Sequence, residues 1–234
     1  MSDTITRRKL LSLAASTAIS AALLGKVAEA DEQASLTQPL PQEVLTPRQV
    51  IQRRYFPNVT LYNQYGEKVK FYDDLIAGKI VTINFFYAKC NGICPGETAN
   101  LVKVQQMFGK RAGRDFFMNS ITLKPEQDHP EELKAYAEAH GAGPGWNFLT
   151  GAPEDIELLR RRLGFTDPDP KLDKDTSNHI GNVRYGNEPL MLWGACAGLT
   201  NPKYIYESVS WMFRPSHPAE LGHSDAPSTT QVGG

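Results

Sequence analysis

Two cysteines four positions apart, placed directly after an apolar run and directly before a proline, constrain this chain more than any other stretch. Residues 80–87, Ile-Val-Thr-Ile-Asn-Phe-Phe-Tyr, are rich in β-branched and aromatic side chains with few polar interruptions, as in a strand covered on both faces. The run predicts a central parallel strand. Cys90-Asn91-Gly92-Ile93-Cys94-Pro95 follows. A proline fits the first turn of a helix, because its missing N–H has no intrahelical partner there and its φ is already near the helical value. The helix is expected to run to about Phe108. Cys94 then sits at a helix N-terminus, where free N–H groups and the positive end of the macrodipole favour thiolate over thiol, so the pair is expected to be acidic and nucleophilic. A plain structural disulfide is the competing reading. It fits less well, because a bridge across so short a loop constrains little of the unfolded chain, and the carboxyl end of a central strand is where open α/β sheets place their sites.

The start of the chain speaks to its compartment. Thr6-Arg7-Arg8-Lys9-Leu10-Leu11 leads into a Leu-, Ala-, Ser- and Thr-rich stretch that ends near Ala28-Glu29-Ala30. Residues 1–30 read as an export signal of the twin-arginine type, whose apolar core (10–25) falls short of the ~20 residues that a membrane span needs. Cleavage after Ala30 and a periplasmic location are expected, with membrane association only if the signal is retained; an ordinary secretory signal with a chance Arg-Arg is the alternative. What remains suits one α/β domain. A net charge of −1 and a pI near 6.5 give no electrostatic reason to expect nucleic acid as a partner, and Arg160-Arg161-Arg162 fits a solvated helix face.

Residues 31–55 are expected to form a linker or arm, polar and proline-bearing in its first part. Val59-Thr60-Leu61-Tyr62 and Val69-Lys70-Phe71-Tyr72 flank a Gly-containing loop, a β-hairpin pattern. A short helical turn at 73–77, the central strand and its helix come next. A second apolar strand is expected over 116–123, a helix from Pro130, a short strand at 146–150 and a helix over 153–163. A polar loop at 168–178 precedes a strand-like segment at 180–193 that His179 opens. Residues 214–234, rich in Pro, Ser, Thr and Gly, are expected to be a disordered tail. The fold class is therefore α/β: a thioredoxin-like fold over residues 56–213, with a central mixed sheet flanked by helices and an N-terminal β-hairpin.

A βαβ unit with paired cysteines at the strand-to-helix junction is a thioredoxin-like arrangement, but the spacing is C-x-x-x-C. Two thiolates so spaced can converge on one ion and can also close into a disulfide, and soft sulfur ligands select Cu(I). His179 is the candidate third ligand, since its strand could return beside the cysteine strand. With this motif, a downstream His179, Leu123-Lys124-Pro125-Glu126-Gln127-Asp128-His129-Pro130 and Gly145-Trp146-Asn147-Phe148-Leu149-Thr150-Gly151, the chain resembles the SCO/SenC family of copper-binding, thioredoxin-like assembly factors over roughly residues 56–180. The resemblance implies a copper site, Cu(I) or Cu(II), made by Cys90, Cys94 and His179. It also implies delivery of copper to an apo copper enzyme such as cytochrome c oxidase or another copper reductase, or reduction of that enzyme's thiols. Lys124 stands where the family usually has Asp, and Asn178 replaces the Asp that often precedes the histidine.

Other candidates read as structural. Cys196, flanked by small residues, suits a buried inert thiol. His129 and His140 fit capping or solvated positions at a helix start and end; His217 and His223 fall in the expected tail, and Lys89 either tunes Cys90 or is simply exposed. Two functions remain. One is a periplasmic copper chaperone; the other is a thiol–disulfide oxidoreductase in which Cys90 and Cys94 are the redox pair. A thiol peroxidase is disfavoured, because Phe-Tyr-Ala-Lys precedes Cys90.

Overall fold

The computed structural model describes residues 44–174 and 181–213; the expected signal, the first part of the arm, His179 and the expected tail lie outside the described residues. The compact unit starts at Pro47.

The end of the expected arm is helical: α1 spans Pro47–Tyr55. None of its residues is buried, so its own packing does not hold it in place. Arg48 does, pairing with Glu188 at 2.5 Å. The same buried carboxylate accepts from the Tyr72 hydroxyl and from the Gly78 N–H, each at 2.8 Å. One anion thus gathers three segments that are distant in sequence, and the charge-assisted bonds it accepts are of the stronger kind.

The expected hairpin is present as β1 (Thr60–Asn63) and β2 (Lys68–Lys70), paired antiparallel. Asn63 closes the turn by accepting from the N–H groups of Tyr65 and Glu67, both at 3.0 Å. After α2 (Phe71–Leu75) comes the expected alternation: β3 (Ile80–Phe86), α3 (Cys94–Phe108), β4 (Phe117–Thr122), α4 (Pro130–His140), β5 (Trp146–Gly151) and α5 (Pro153–Arg162). His129 and His140 stand at the two ends of α4; the His129 N–H donates to Glu132, and the His140 ring stacks on Tyr136. The segment expected as one strand over 180–193 is instead two antiparallel strands, β6 (Asn182–Asn187) and β7 (Leu192–Ala197). A turn at Glu188 and Pro189 separates them, because Pro cannot donate to a ladder and Glu188 is taken up by the α1 clasp. A helix the sequence reading did not mark, α7 (Pro202–Ser210), is capped by Asn201 and buries Ile205 and Val209, one turn apart.

The sheet order is β2-β1-β5-β4-β3-β6-β7, with β3, β4 and β5 parallel and the others antiparallel to their neighbours. Side chains of β3 alternate between two cores. Val81, Ile83 and Phe85 enter one, with Phe56, Leu61, Phe71 and the α5 residues Ile156 and Leu159. Phe86 enters the other, with Cys90, Cys94, Leu101, Phe148, Ile205 and Val209.

One basic residue departs from the solvated role expected of its run. Arg160 is buried, because it lies on the same face of α5 as Ile156 and Leu159. Its guanidinium is satisfied by Asp173 at 2.6 and 2.9 Å, by Glu157 at 2.7 and 3.0 Å and by the Phe165 carbonyl at 3.0 Å. Asp173 closes the short α6 (Pro170–Asp173), so the arginine pins the loop that follows α5.

Candidate metal centre

β3 delivers the chain to the site and α3 leaves it, beginning at Cys94 itself with Pro95 in the first turn. Between them the backbone turns, the Cys90 N–H donating to the Tyr87 carbonyl at 3.2 Å. The turn is clasped from the side. Asp128, 1 % exposed, accepts from the Ala88 N–H at 3.0 Å and from the Thr122 hydroxyl, which in turn accepts from the Lys124 N–H at 2.9 Å. The Leu123 N–H adds a bond to the Phe86 carbonyl at 2.7 Å. Asp128 and Thr122 were not singled out from the sequence as functional, although Asp128 stands inside the segment that carried the family resemblance.

Cys90 and Cys94 are both free thiols, 6 % and 0 % exposed. Their ionisation differs in the opposite sense to the sequence expectation. For Cys90, burial works against the thiolate, but hydrogen bonds from Cys94, from the Gly92 N–H at 3.4 Å and from the Tyr87 side chain outweigh it and hold the pKa below its ordinary value. For Cys94, burial dominates and pushes the thiol well up, reinforced by its bond to Cys90 and by the nearby charges of Cys90 and Glu97. A helix N-terminus contributes about 0.3–2 kcal/mol. Full burial shifts a pKa by as much as 3–5 units, which is more. The acidic member is therefore Cys90.

Glu97 lies one turn beyond Cys94 on α3 and is fully buried. Neither carboxylate oxygen makes a well-formed hydrogen bond. Burial raises its pKa to about 8, although the Asn84 amide favours the anion and opposes the shift; the charge of Cys90 raises it further. The carboxyl is packed against backbone: a Cβ on Gly198 would fall 2.5 Å from Glu97 Oε1, so any larger residue there would have to displace the buried carboxyl. Cys196, on β7, is partly buried; burial and then Glu97 push its thiol up to about 11, in keeping with an inert role. Lys124 holds its ammonium 5.5 Å above the Tyr87 ring, beside the tyrosine that bonds Cys90.

His179 lies outside the described residues, and among the described residues no three His, Cys, Asp or Glu side chains are grouped to hold a metal ion. The neighbouring backbone is described. β6 runs antiparallel to β3, with Ile83 opposite Arg184, so its start lies at the carboxyl end of β3. Gly181 there approaches the cysteine loop so closely that a Cβ on it would fall 2.6 Å from Ile93 Cδ1. Two adjacent thiols, one readily ionised, form a donor pair of the kind soft metal ions take.

The family model described as SCO1/SenC matches residues 50–210. The SCO1 protein homolog of Bacillus subtilis is 31 % identical over 93 residues, a match that spans 39 % of this chain and about half, 47 %, of that protein. Yeast Sco1 with copper bound is 20 % identical with a TM-score of 0.54, covering 69 % of this chain and 93 % of the other. BsSco, solved as "a member of the Sco family of cytochrome c oxidase assembly proteins" with a disulfide switch, is 24 % identical with a TM-score of 0.54, covering 66 % and 90 %. These structural likenesses show a shared thioredoxin-like fold. The match to the family model covers most of the folded unit, and on that ground the chain belongs to the SCO1/SenC family.

Proposed function

We propose that the protein is an exported copper chaperone that binds copper as cargo through Cys90, Cys94 and His179 and passes it to an apo copper enzyme such as cytochrome c oxidase. The observation that carries this reading is the pair of free, mutually hydrogen-bonded thiols at the β3–α3 junction, on a turn clasped by Asp128. Two thiolates suit Cu(I), and an imidazole adds the borderline nitrogen that Cu(II) prefers. Gly181, two positions beyond His179 and packed on Ile93, supports the histidine as the third ligand. Yeast Sco1 solved with copper supports the cargo, and the oxidase-assembly role given to BsSco supports the acceptor. The twin-arginine signal makes the periplasm the place of action, and export in the folded state lets the site be assembled before crossing.

A second reading, reduction of an acceptor's disulfide, is favoured by the inequality of the two sulfurs. Cys90, more acidic and more accessible, attacks one sulfur of the acceptor disulfide and expels the other as a thiolate. Cys94 then gives up its proton and attacks Cys90 Sγ. This closes the Cys90–Cys94 bridge and releases the acceptor as a dithiol, two electrons having moved. His179→Ala separates the readings, because the imidazole ligates copper but takes no covalent part in the exchange. Cu(II) binding should fall far more than Cu(I) binding, which two thiolates can hold linearly, while dithiol–disulfide cycling persists. Undiminished Cu(II) binding removes His179 from the site. Lost binding with continued oxidase maturation in cells that depend on the protein makes it chiefly a reductase.

A further inference from the structure

At one end of the sheet, register places three side chains on the face opposite the cysteines. Ile83 pairs with Arg184 and Gly186 with Trp193; paired residues point to the same side, and alternate residues return to it, so Ile83, Arg184 and Trp193 share a face. Above them, α1 and the end of α5 border a pocket of about 430 Å³. Phe56, Ile83, Leu163 and Trp193 give it an apolar lining, and the Phe56 and Trp193 rings lie 4.6 Å apart. The volume is that of a small-molecule site.

The charge around the pocket is one-sided. Arg161, Arg162 and Arg184 line it, and among the described residues no acidic one does. Arg161 is paired with Glu157. Arg184 is half-buried against the Phe165 ring at 5.6 Å and donates to the Gly164 carbonyl at 3.3 Å; no carboxylate among the described residues pairs with it. Burial of a cation without a counter-charge is unfavourable, and it lowers the pKa of this guanidinium. The indole N–H of Trp193, in the wall, is also buried without a partner among the described residues. An apolar hollow with an uncompensated cation at its edge matches an amphiphile with an anionic head. A neutral ligand leaves Arg184 as it is, and a cationic one is repelled.

We propose that this pocket binds a free, single-chain aliphatic carboxylate, with the chain on Phe56, Ile83, Leu163 and Trp193 and the carboxylate against Arg184. The test titrates octanoate, decanoate and dodecanoate, below their micelle-forming concentrations, into the reduced, copper-free full chain by calorimetry, with tryptophan fluorescence as a second signal. One site is expected, with affinity rising about fourfold per added methylene until the pocket is full. Decanol and decyltrimethylammonium should bind roughly tenfold more weakly than decanoate or worse, and Arg184→Gln should cost decanoate a similar factor while leaving decanol unaffected. Equal binding of the three head groups by the wild-type chain, or no binding of any, overturns the proposal whether or not the variant folds. A folded Arg184→Gln chain that keeps full decanoate affinity overturns it as well. So does association with phosphatidylglycerol vesicles without decanoate binding, which makes the arginines a membrane contact instead.

Discussion

Replacing Glu97 with glutamine should make the stability of this protein markedly less sensitive to pH. The folded protein retains the Glu97 proton up to about pH 8, whereas the unfolded chain releases it near 4.5. Between those values the folded state binds one more proton than the unfolded state, so the contribution of this group to stability falls as pH rises. It is fully present below pH 4.5 and is lost as the pH approaches 8. The loss is roughly 3 kcal/mol by pH 7 and roughly 5 kcal/mol once the carboxyl is fully ionised. Both values follow from complete burial without a well-formed hydrogen bond. Glutamine occupies nearly the same volume and does not titrate. Urea unfolding of the reduced, copper-free wild type and Glu97→Gln, at several pH values between 4.5 and 7 and constant ionic strength, isolates the effect in the difference between the two proteins. That difference should move in favour of the variant by roughly 3 kcal/mol across the range. If it stays constant within about 0.5 kcal/mol, the scatter expected of such measurements, Glu97 is not a buried proton carrier and the reasoning fails.

Oxidation of the Cys90–Cys94 pair should abolish tight copper binding, since disulfide sulfurs lack the charge of two thiolates; equal high-affinity binding before and after reduction would remove the cysteines from the site. Lys124→Asp should strengthen copper binding under matched salt and pH, because it replaces a cation beside Tyr87 with an anion, and unchanged or weaker binding would show that the charge is not felt at the site. Asp173→Asn should destabilise the fold by about 2–3 kcal/mol in urea unfolding, at the lower edge of what breaking a buried pair costs, because Glu157 still compensates Arg160; a loss below about 0.5 kcal/mol would show that the loop does not depend on the pair.

The alternation of strands and helices between residues 60 and 162 was legible because each element carries its own period and its own stop signal: Asn63 and Gly66 in the hairpin, and Pro95, Pro130 and Pro153 at helix starts. The cysteine motif was legible for the same reason, as it lies where an apolar run meets a helix-starting proline. What sequence concealed depends on partners distant along the chain. The clasp on α1 needs Glu188, more than a hundred residues away, and the burial of Arg160 needs Asp173 to accept it. The acid–base order of the two cysteines was inverted for a similar reason. The helix-end effect on Cys94 is local and readable from its neighbours, while the stronger influence, exclusion from water in the core between β3 and α3, is a property of the packed molecule. His179 lies outside the described residues, and its proposed place rests on the sequence, the family and the close approach of Gly181 to Ile93.

The bond from the Ala88 N–H to Asp128 bears on how the site would meet the copper proposed as its cargo. A loop that must be ordered by its ligand spends part of the binding energy on that ordering, and its affinity falls accordingly. Here the turn that carries Cys90 is fastened to the end of β4 through Thr122 and Asp128, contacts formed when the sheet forms. The entropy of arranging the Cys90 turn is thus lost during folding and not at capture. Under the proposed copper-carrying function, such a turn would be a preorganised receptor, release to an acceptor would gain little from loop disorder, and transfer would have to be driven by the acceptor's own ligands replacing these sulfurs one at a time.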